Sequence, residues 1–512
     1  KVEVASKYVL NENTLSFEFP NGYDVTKELI IDPDLVFATF SGATNAGMFA
    51  YATTYDESSS LYAGAQAWGT GLPTTTGAYQ TFFAGGTHDV GMNKYNPLGT
   101  GLVYSTYFGG TGSDWPQAMR VNTLGELVIV GYTMSSNLPV TTGAFQNALA
   151  GGVDHFITRF SADGSQLMGS TYLGSTGNDG FSWNRTSLLH DPSNHHIHSP
   201  VELNFDKNNN IWVVGTTNSP TWPVSSNAFQ LNHGGGQYDG YVLAYAPNLA
   251  TVIYGTFVGG SGDDGITGIE FDKDGNVFIS GVTSSTNFIT TPGAFLTQNQ
   301  GGFDDPTTGD ITASTYLGTS AADGATHVQI DRDGDIYVLG STRGSYTVTP
   351  GAYEIVGTNK VFVQKLNNDL TTGIVSSQYG SNTGAGFFAS AFVVDICKNE
   401  YICGLENFLG AIFNNMPLTN DAYSTAPDNF YFFALDGNLS QLIFGSYFGV
   451  PSQDDHTHVG INRLDPKGVV YHSLCSATAN WQNYTHPLNV FGKTKTNVGQ
   501  DIISFKFNFD KA

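Results

Sequence analysis

The residues in this chain that look most like chemistry are histidines gathered in one stretch. GFSWNRTSLLHDPSNHHIHSP places His190, His195, His196 and His198 within nine positions, with Asp191 beside the first. Imidazole and carboxylate side chains suit zinc or copper. His456 and His458 in DDHTHVG and His327 in ATHVQ are further imidazoles that folding could bring near. Against a metal, HHIH has no helical spacing to align its rings, and a long polar loop serves as well for contact with a partner. No metal or cofactor is therefore assigned. His195, His196 and His198 would be the ligands if one bound, and His190, Asp191, His456 and His458 are read as ligand or partner surface together with Trp183. Trp183, Trp222 and Trp481 would stack on sugar rings if exposed, or plug the spaces between structural units if buried.

Carboxylates form two further patterns. Asp272, Asp274 and Asn276, like Asp331, Asp333 and Asp335, resemble the start of a calcium loop, but the twelfth position carries Thr283 or Thr342 (Thr217 in the matching FDKNNN stretch) where a bidentate Glu is needed. Asp-Gly hairpin turns account for these acids without a cation. The second pattern is Asp114, Asp179, Asp264, Asp323 and Asp455, which follow short aromatic stretches at related positions and are expected to gather at one end of the molecule. There they would either attract a cation or sugar, or cap backbone N–H groups. No catalytic residue is assigned. The chain lacks G-x-S-x-G, H-E-x-x-H and a P-loop. GSGDDG, from Gly260 to Gly265, is followed by a strand pattern, so no helix N-terminus receives a phosphate. The pairs Asp263/Asp264 and Asp454/Asp455 would serve glycoside chemistry only if two carboxyls faced across a cleft.

These residues are positioned by a repeat. An aromatic motif recurs seven times, at Phe40, Tyr107, Tyr172, Phe257, Tyr316, Tyr379 and Tyr447, with spacings of 67, 65, 85, 59, 63 and 68 residues. Such periods indicate a tandem array. Each unit reads as two hairpins with tight turns such as Asp163-Gly164, Asp274-Gly275 and Asp333-Gly334, joined by a segment like LPVTTGAFQ whose aromatic plugs against a neighbouring unit. The 85-residue spacing holds the histidine loop. In the fourth unit GGFDD runs directly into PTTGD, so a strand like HFITRF is missing; either that unit is incomplete or residues are absent from the sequence.

Composition agrees with an all-β array. Gly, Thr, Ser, Val, Ile and aromatics are plentiful, and no long stretch shows helical apolar spacing. The 44 acids against 20 bases give a formal charge of −24, which disfavours nucleic acid and direct docking on anionic membranes. Cys397, Cys403 and Cys475 are an odd number and imply no disulfide framework. No segment is long and apolar enough to span a bilayer, and Lys1 opens without a leader, which does not exclude export.

Residues 1–33 read as a β-hairpin-like lead-in. The strand DLVFATFSG at 34–42 has no partner within its own unit, while GQDIISFKFNFD near the C-terminus stops before the aromatic strand that should follow. Pairing the two closes the array and removes both sheet edges. The expected fold is a seven-bladed β-propeller over 34–512, with 34–42 completing the last blade.

The repeats resemble the SBBP family, named for seven-bladed β-propeller repeats. The resemblance is carried by DKDGNVFISGVTS from Asp272 to Ser284, by P-G-A-F from Pro292 to Phe295, and by YSTYFGG from Tyr104 to Gly110. It implies an exported protein of bacteria that use type IX secretion, found at the cell surface or outer membrane, and brings no catalytic residues with it. The function expected is a non-catalytic module that binds or scaffolds a protein or glycan, as in adhesins or the surface machinery of gliding motility. Alternatives are an accessory partner that occludes or gates the secretion translocon, and a carbohydrate-active hydrolase or lyase. The chain is expected to be one domain of something longer.

Overall fold

The computed structural model describes residues 7–11, 14–18, 20, 22, 34–179, 201–299, 305–309, 313–381, 387–406, 413–428, 430–448, 455–456, 463–465, 469–476, 491 and 501–508. Every regular element among them is a strand. Lys7–Asn11 and Thr14–Glu18 form a separate antiparallel pair.

From Met48 onward, four consecutive strands build one antiparallel sheet, six times over. The first strand of each blade lies innermost: Met48–Tyr55, Asp114–Val121, Glu202–Phe205, Asp264–Phe271, Asp323–Ile330 and Phe387–Val394. Each packs against its successor around an axis, which makes the fold a β-propeller. Valine, isoleucine and aromatic runs form these strands because both faces of a blade are covered by neighbours. The interiors of the sheets are therefore buried: Ile129, Val213, Tyr241 and Phe433 are all inaccessible to solvent, whereas Val103, Met168, Ile253, Ile374 and Ile443 near the start of the fourth strands are exposed.

The ring is completed by a sheet from both chain ends. Asp34–Phe40 pairs antiparallel with Asp501–Asn508, which pairs in turn with Val469–Ser476. This sheet has five strands, because two short inner strands, Asp455–His456 and Arg463–Asp465, both pair with Val469–Ser476. The expectation of seven like blades is thus corrected to six four-stranded blades and a closing sheet of a different kind. The closing sheet is no single repeat unit. Its inner segment pairs in two places where the other blades use one strand, and its outermost strand comes from the other end of the chain.

Two features recur along the ring. The hydroxyl of the anchor tyrosine reaches the loop after the second strand: Tyr172 donates to the Ser135 carbonyl (2.7 Å) and accepts from the Leu138 amide (2.8 Å), and Tyr107 does likewise with Gly69 and Leu72. The plug aromatic then meets the third strand of the next blade, as Tyr79 does Phe160 at 5.8 Å and Phe145 does Tyr245 at 5.8 Å, both edge to face.

The fourth blade keeps four strands. Asp305–Gly309 takes the third position and pairs with Ala313–Leu317. The strand expected to be missing is present. Phe295 to Tyr316 spans 21 positions, against 27 from Phe145 to Tyr172 and 28 from Phe229 to Phe257.

At the closing sheet, Phe505 is buried among Phe430, Phe448, Phe507 and His472, with Phe448 at 4.0 Å. Phe505→Ala leaves a cavity at the seam between the chain ends and is expected to cost about 3–5 kcal/mol. Urea unfolding followed by intrinsic fluorescence measures it; a loss below about 1 kcal/mol would show that the seam does not carry the ring.

Candidate functional site

Asp114, Asp264 and Asp323 open inner strands, and all three are buried, as is Asp179. Asp114 accepts hydrogen bonds from the Gly110 amide (2.8 Å) and from the hydroxyls of Thr133 and Ser135. Asp179 accepts from the Ser175 amide, Thr217 and Ser219 at 2.8, 2.6 and 2.8 Å. Asp264 does the same with the Gly260 amide, Thr283 and Ser285. The T-x-S of the second strand thus supplies two donors to the acid of the first. Asp323 uses the amide and hydroxyl of Thr319, at 2.6 and 2.8 Å, since Gly344 replaces the serine.

A second set of acids opens the third strands. The Asp89 carboxylate accepts from the Ala84 amide, Asp154 from Ala150 and Gly151, and Asp239 from Gly234. A Cβ on Gly109 would meet both Asp89 and Asp114, so the two carboxyls flank one glycine. Burial pushes Asp89 and Asp239 up to about 7, with Asp114 and Asp264 respectively adding to the rise. Asp154 and Asp264 are pushed up to about 6, again chiefly by burial.

The calcium-like turns are closed by their own amides. Asp272 accepts from the amides of Asp274 and Asn276 and from the Asn276 side chain. In the fifth blade, lysines hold the turn: Lys365 lies 3.2 Å from Asp331 and 3.0 Å from Asp335, and Lys398 lies 3.1 Å from Asp331 and 2.6 Å from Asp333. Their ammonium groups occupy the space a cation would need.

Residues 180–200 lie outside the described residues, and with them Trp183, His190, Asp191, His195, His196 and His198. His458 and Trp481 do too. Asp455 and His456 are described as backbone only, in the short strand opposite Ser476 and Cys475. Trp222 is buried against Tyr241, 4.6 Å between centroids, and so plugs the ring.

At the opposite ends of the inner strands, a pocket of about 330 Å³ lies on the axis and draws residues from all six blades and the closing sheet. Arg463 of the closing sheet forms an ion pair with Glu202 of the third blade, and Arg120 of the second blade lies 3.6 Å from Glu270 of the fourth. Both pairs join sheets that are not neighbours. Glu270 also accepts from Asn204 (2.9 Å) and Gln329 (3.4 Å). Tyr55 stacks on Tyr471 at 4.7 Å beside the pocket.

His327, grouped in the sequence with the loop histidines, lines this pocket instead. Its Nδ1 lies 2.9 Å from the Thr326 hydroxyl and its Nε2 has no hydrogen-bond partner among the described residues. Burial, reinforced by Arg463, lowers it to about 3, so the ring is neutral at physiological pH. The Nε atoms of Arg120 and Arg463 are likewise buried without partners. The site thus offers guanidinium donors, carboxylate acceptors, an amide, a phenol and a neutral imidazole. It can hold a ligand rich in hydroxyls or amides. Arg120, Glu202, Glu270 and Arg463 were not singled out in the sequence. Their signal was weak: charge near the ends of inner strands in a chain where charged residues are only 12%.

Residues 1–34 match the model of a domain of unknown function, DUF7948. The match ends as the closing strand begins, and the repeat-family resemblance continues to rest on the motifs quoted above. No curated protein matches the chain. Similar solved structures include a protein of unknown function from Dyadobacter fermentans, at 11% identity over 94% of this chain and 100% of that chain, with a TM-score of 0.35. An ulvan lyase of polysaccharide lyase family PL25 is similar at 10% identity over 86% and 92%, with a TM-score of 0.38. The endosialidase of phage phi92 is similar at 12% identity over 93% and 69%, with a TM-score of 0.38. Likeness at this level carries no inference about ligand or activity. Among the described residues, no helix is long and apolar enough to cross a membrane.

The buried acid pairs make stability depend on pH. Their folded pKa values lie above the unfolded value near 4, so their contribution is full when protonated and is lost as pH rises through 6 and 7. The thermal midpoint is expected to fall between pH 5 and pH 8. Asp89→Asn or Asp239→Asn should flatten that limb by about 1–2 kcal/mol each after solvent screening. Melts of the three proteins across this range test it; parallel pH profiles would refute it.

Proposed function

We propose that this chain is a non-catalytic binding module, exported and displayed at the bacterial surface or outer membrane, whose ligand enters the axial pocket. The observation that carries this reading is the division of labour among charged groups. The repeated carboxylates whose side chains are described are committed to backbone and hydroxyl donors, whereas Arg120, Glu202, Glu270 and Arg463 face one another in a solvent-connected cavity. The lining carries Arg120, Arg332 and Arg463 beside Glu202, Glu270, Asp331 and Asp395, so the pocket offers charged donors and acceptors together. A glycan chain suits this best, because hydroxyls both donate and accept. A polar loop of a protein partner presents similar chemistry. Export and surface location rest on the repeat resemblance and on the Asn-, Thr-, Ser- and Gly-rich, lysine-poor composition.

Glu202 and Glu270 are each engaged by a guanidinium and His327 stays neutral, an arrangement suited to holding a ligand. A glycan microarray, followed by titration of the best binders, tests the reading. Arg120→Gln and Glu270→Gln should each weaken binding roughly ten- to hundredfold, the range for a lost charged hydrogen bond, with circular dichroism unchanged. Capture of a protein from outer-membrane fractions that depends on the same two residues would move the ligand to the protein class. Release of reducing ends or unsaturated sugars by the native chain, abolished in these variants, would overturn the non-catalytic reading.

A further inference from the structure

The axial pocket is built in two levels, set by the last two residues of the inner strands, which pair with the second strands in matching register. The next-to-last position supplies Arg120, Glu270 and Gln329, and the last supplies Tyr55, Phe271 and Val394. A polar level therefore lies against an apolar collar.

Tyr55 belongs to both levels. One face of its ring is stacked on Tyr471 of the closing sheet, with 4.7 Å between centroids and 18° between planes. Tyr471 is buried, does not line the pocket, and carries the Lys506 ammonium over its ring at 5.3 Å. Lys506 in turn donates to the carbonyls of Ser59 (3.0 Å) and Pro97 (3.4 Å). The Tyr55 ring thus has a fixed support behind it, and its second face is what it offers to the pocket. Its hydroxyl has no hydrogen-bond partner among the described residues. Burial and then Asp465 push it up to about 12, while Arg120 and Arg463 oppose the shift and Glu270 adds to it, so the phenol lies among these charged groups and stays protonated at physiological pH.

A pyranose ring has the matching two-sided chemistry. Its axial C–H groups form a flat apolar face, and its equatorial hydroxyls form a polar edge that donates and accepts. An open-chain polyol carries the same hydroxyls without the face. The pocket, at about 330 Å³, is at the lower end of small-molecule sites, which limits the bound portion of a glycan to roughly one or two rings.

We infer that Tyr55 determines specificity in the axial pocket: its free face stacks on the C–H face of one pyranose ring, and its hydroxyl, with Arg120, Glu270 and Gln329, binds the hydroxyls of that ring. This deepens the glycan reading and rests on it. Methyl β-D-glucopyranoside, methyl β-D-galactopyranoside, methyl α-D-mannopyranoside and D-glucitol, titrated separately into the full chain and followed by saturation-transfer NMR, are the probes. At least one pyranoside is expected to give transfer concentrated on the axial protons of one ring face, and D-glucitol none. Tyr55→Phe keeps the ring and should weaken binding by no more than roughly threefold. Tyr55→Ala should weaken it roughly tenfold or more. Tyr55→Leu keeps bulk against Tyr471 without a flat face, should match the alanine variant, and decides the matter where that variant fails to fold. Transfer to D-glucitol equal to that of the pyranosides would overturn the inference and leave the glycan reading standing, as would undiminished binding in the folded Tyr55→Leu chain while Arg120→Gln weakens it. Absence of transfer to every pyranoside would also overturn it, and a glycan array without a binder would overturn both.

Discussion

One ladder of backbone hydrogen bonds, between Asp34–Phe40 and Asp501–Asn508, turns a linear array into a ring. An open array would leave two strand edges unpaired, and edges of this length and apolar content template aggregation. Closure does more than protect edges. Arg463 lies 261 positions from Glu202 in the chain and on a sheet that is not its neighbour, so the pair forms only when the closing sheet is seated. The axial pocket is a consequence of closure, and no subset of blades contains it.

The repeat spends its polar residues on structure. Thr and Ser two apart at the end of the second strand serve the acid of the first, the glutamine after the plug aromatic of the first three blades accepts from a glycine amide (Gln80 from Gly109, Gln146 from Gly174, Gln230 from Gly259), and the anchor hydroxyl holds the loop between them. A buried polar group left unpaired would cost about 1–3 kcal/mol. Such short networks engage Thr, Ser and Asp side chains inside the blades. They also explain the raised carboxyls: two acids flank one glycine, and neither is paired with a base.

The blades were legible because hairpin turns and anchor aromatics are local signals. The number of blades was not, because the closing sheet takes strands from both ends and splits its inner segment. Local motifs also mislead by register. Ser376 donates to the Thr347 carbonyl as Ser170 does to that of Pro139, so Gln378, not Tyr379, holds the anchor's place in the fifth blade. The acids Asp114, Asp179 and Asp264 could be located, but cap and ligand look alike until their donors are known. The turn at Asp331 illustrates the same limit, since Lys365 and Lys398 come from another strand and the next blade.

The contrast between the two ends of the inner strands bears on where function resides. The second, fourth and fifth inner strands open on Asp114, Asp264 and Asp323, each of which accepts from the amide four residues before it. One residue before the end, at a shared register position, stand Thr54, Arg120, Asn204, Glu270, Gln329, Val393 and Leu464. No blade needs a particular side chain there to hold its sheet, so chemistry at that level is free to differ. What constrains it is charge. Burial and the nearby Arg120 lower the Arg463 pKa, and Glu202 and Glu270 oppose that shift. A ligand that donates and accepts hydrogen bonds without carrying charge can engage the pocket and leave the Arg463–Glu202 and Arg120–Glu270 pairs in place.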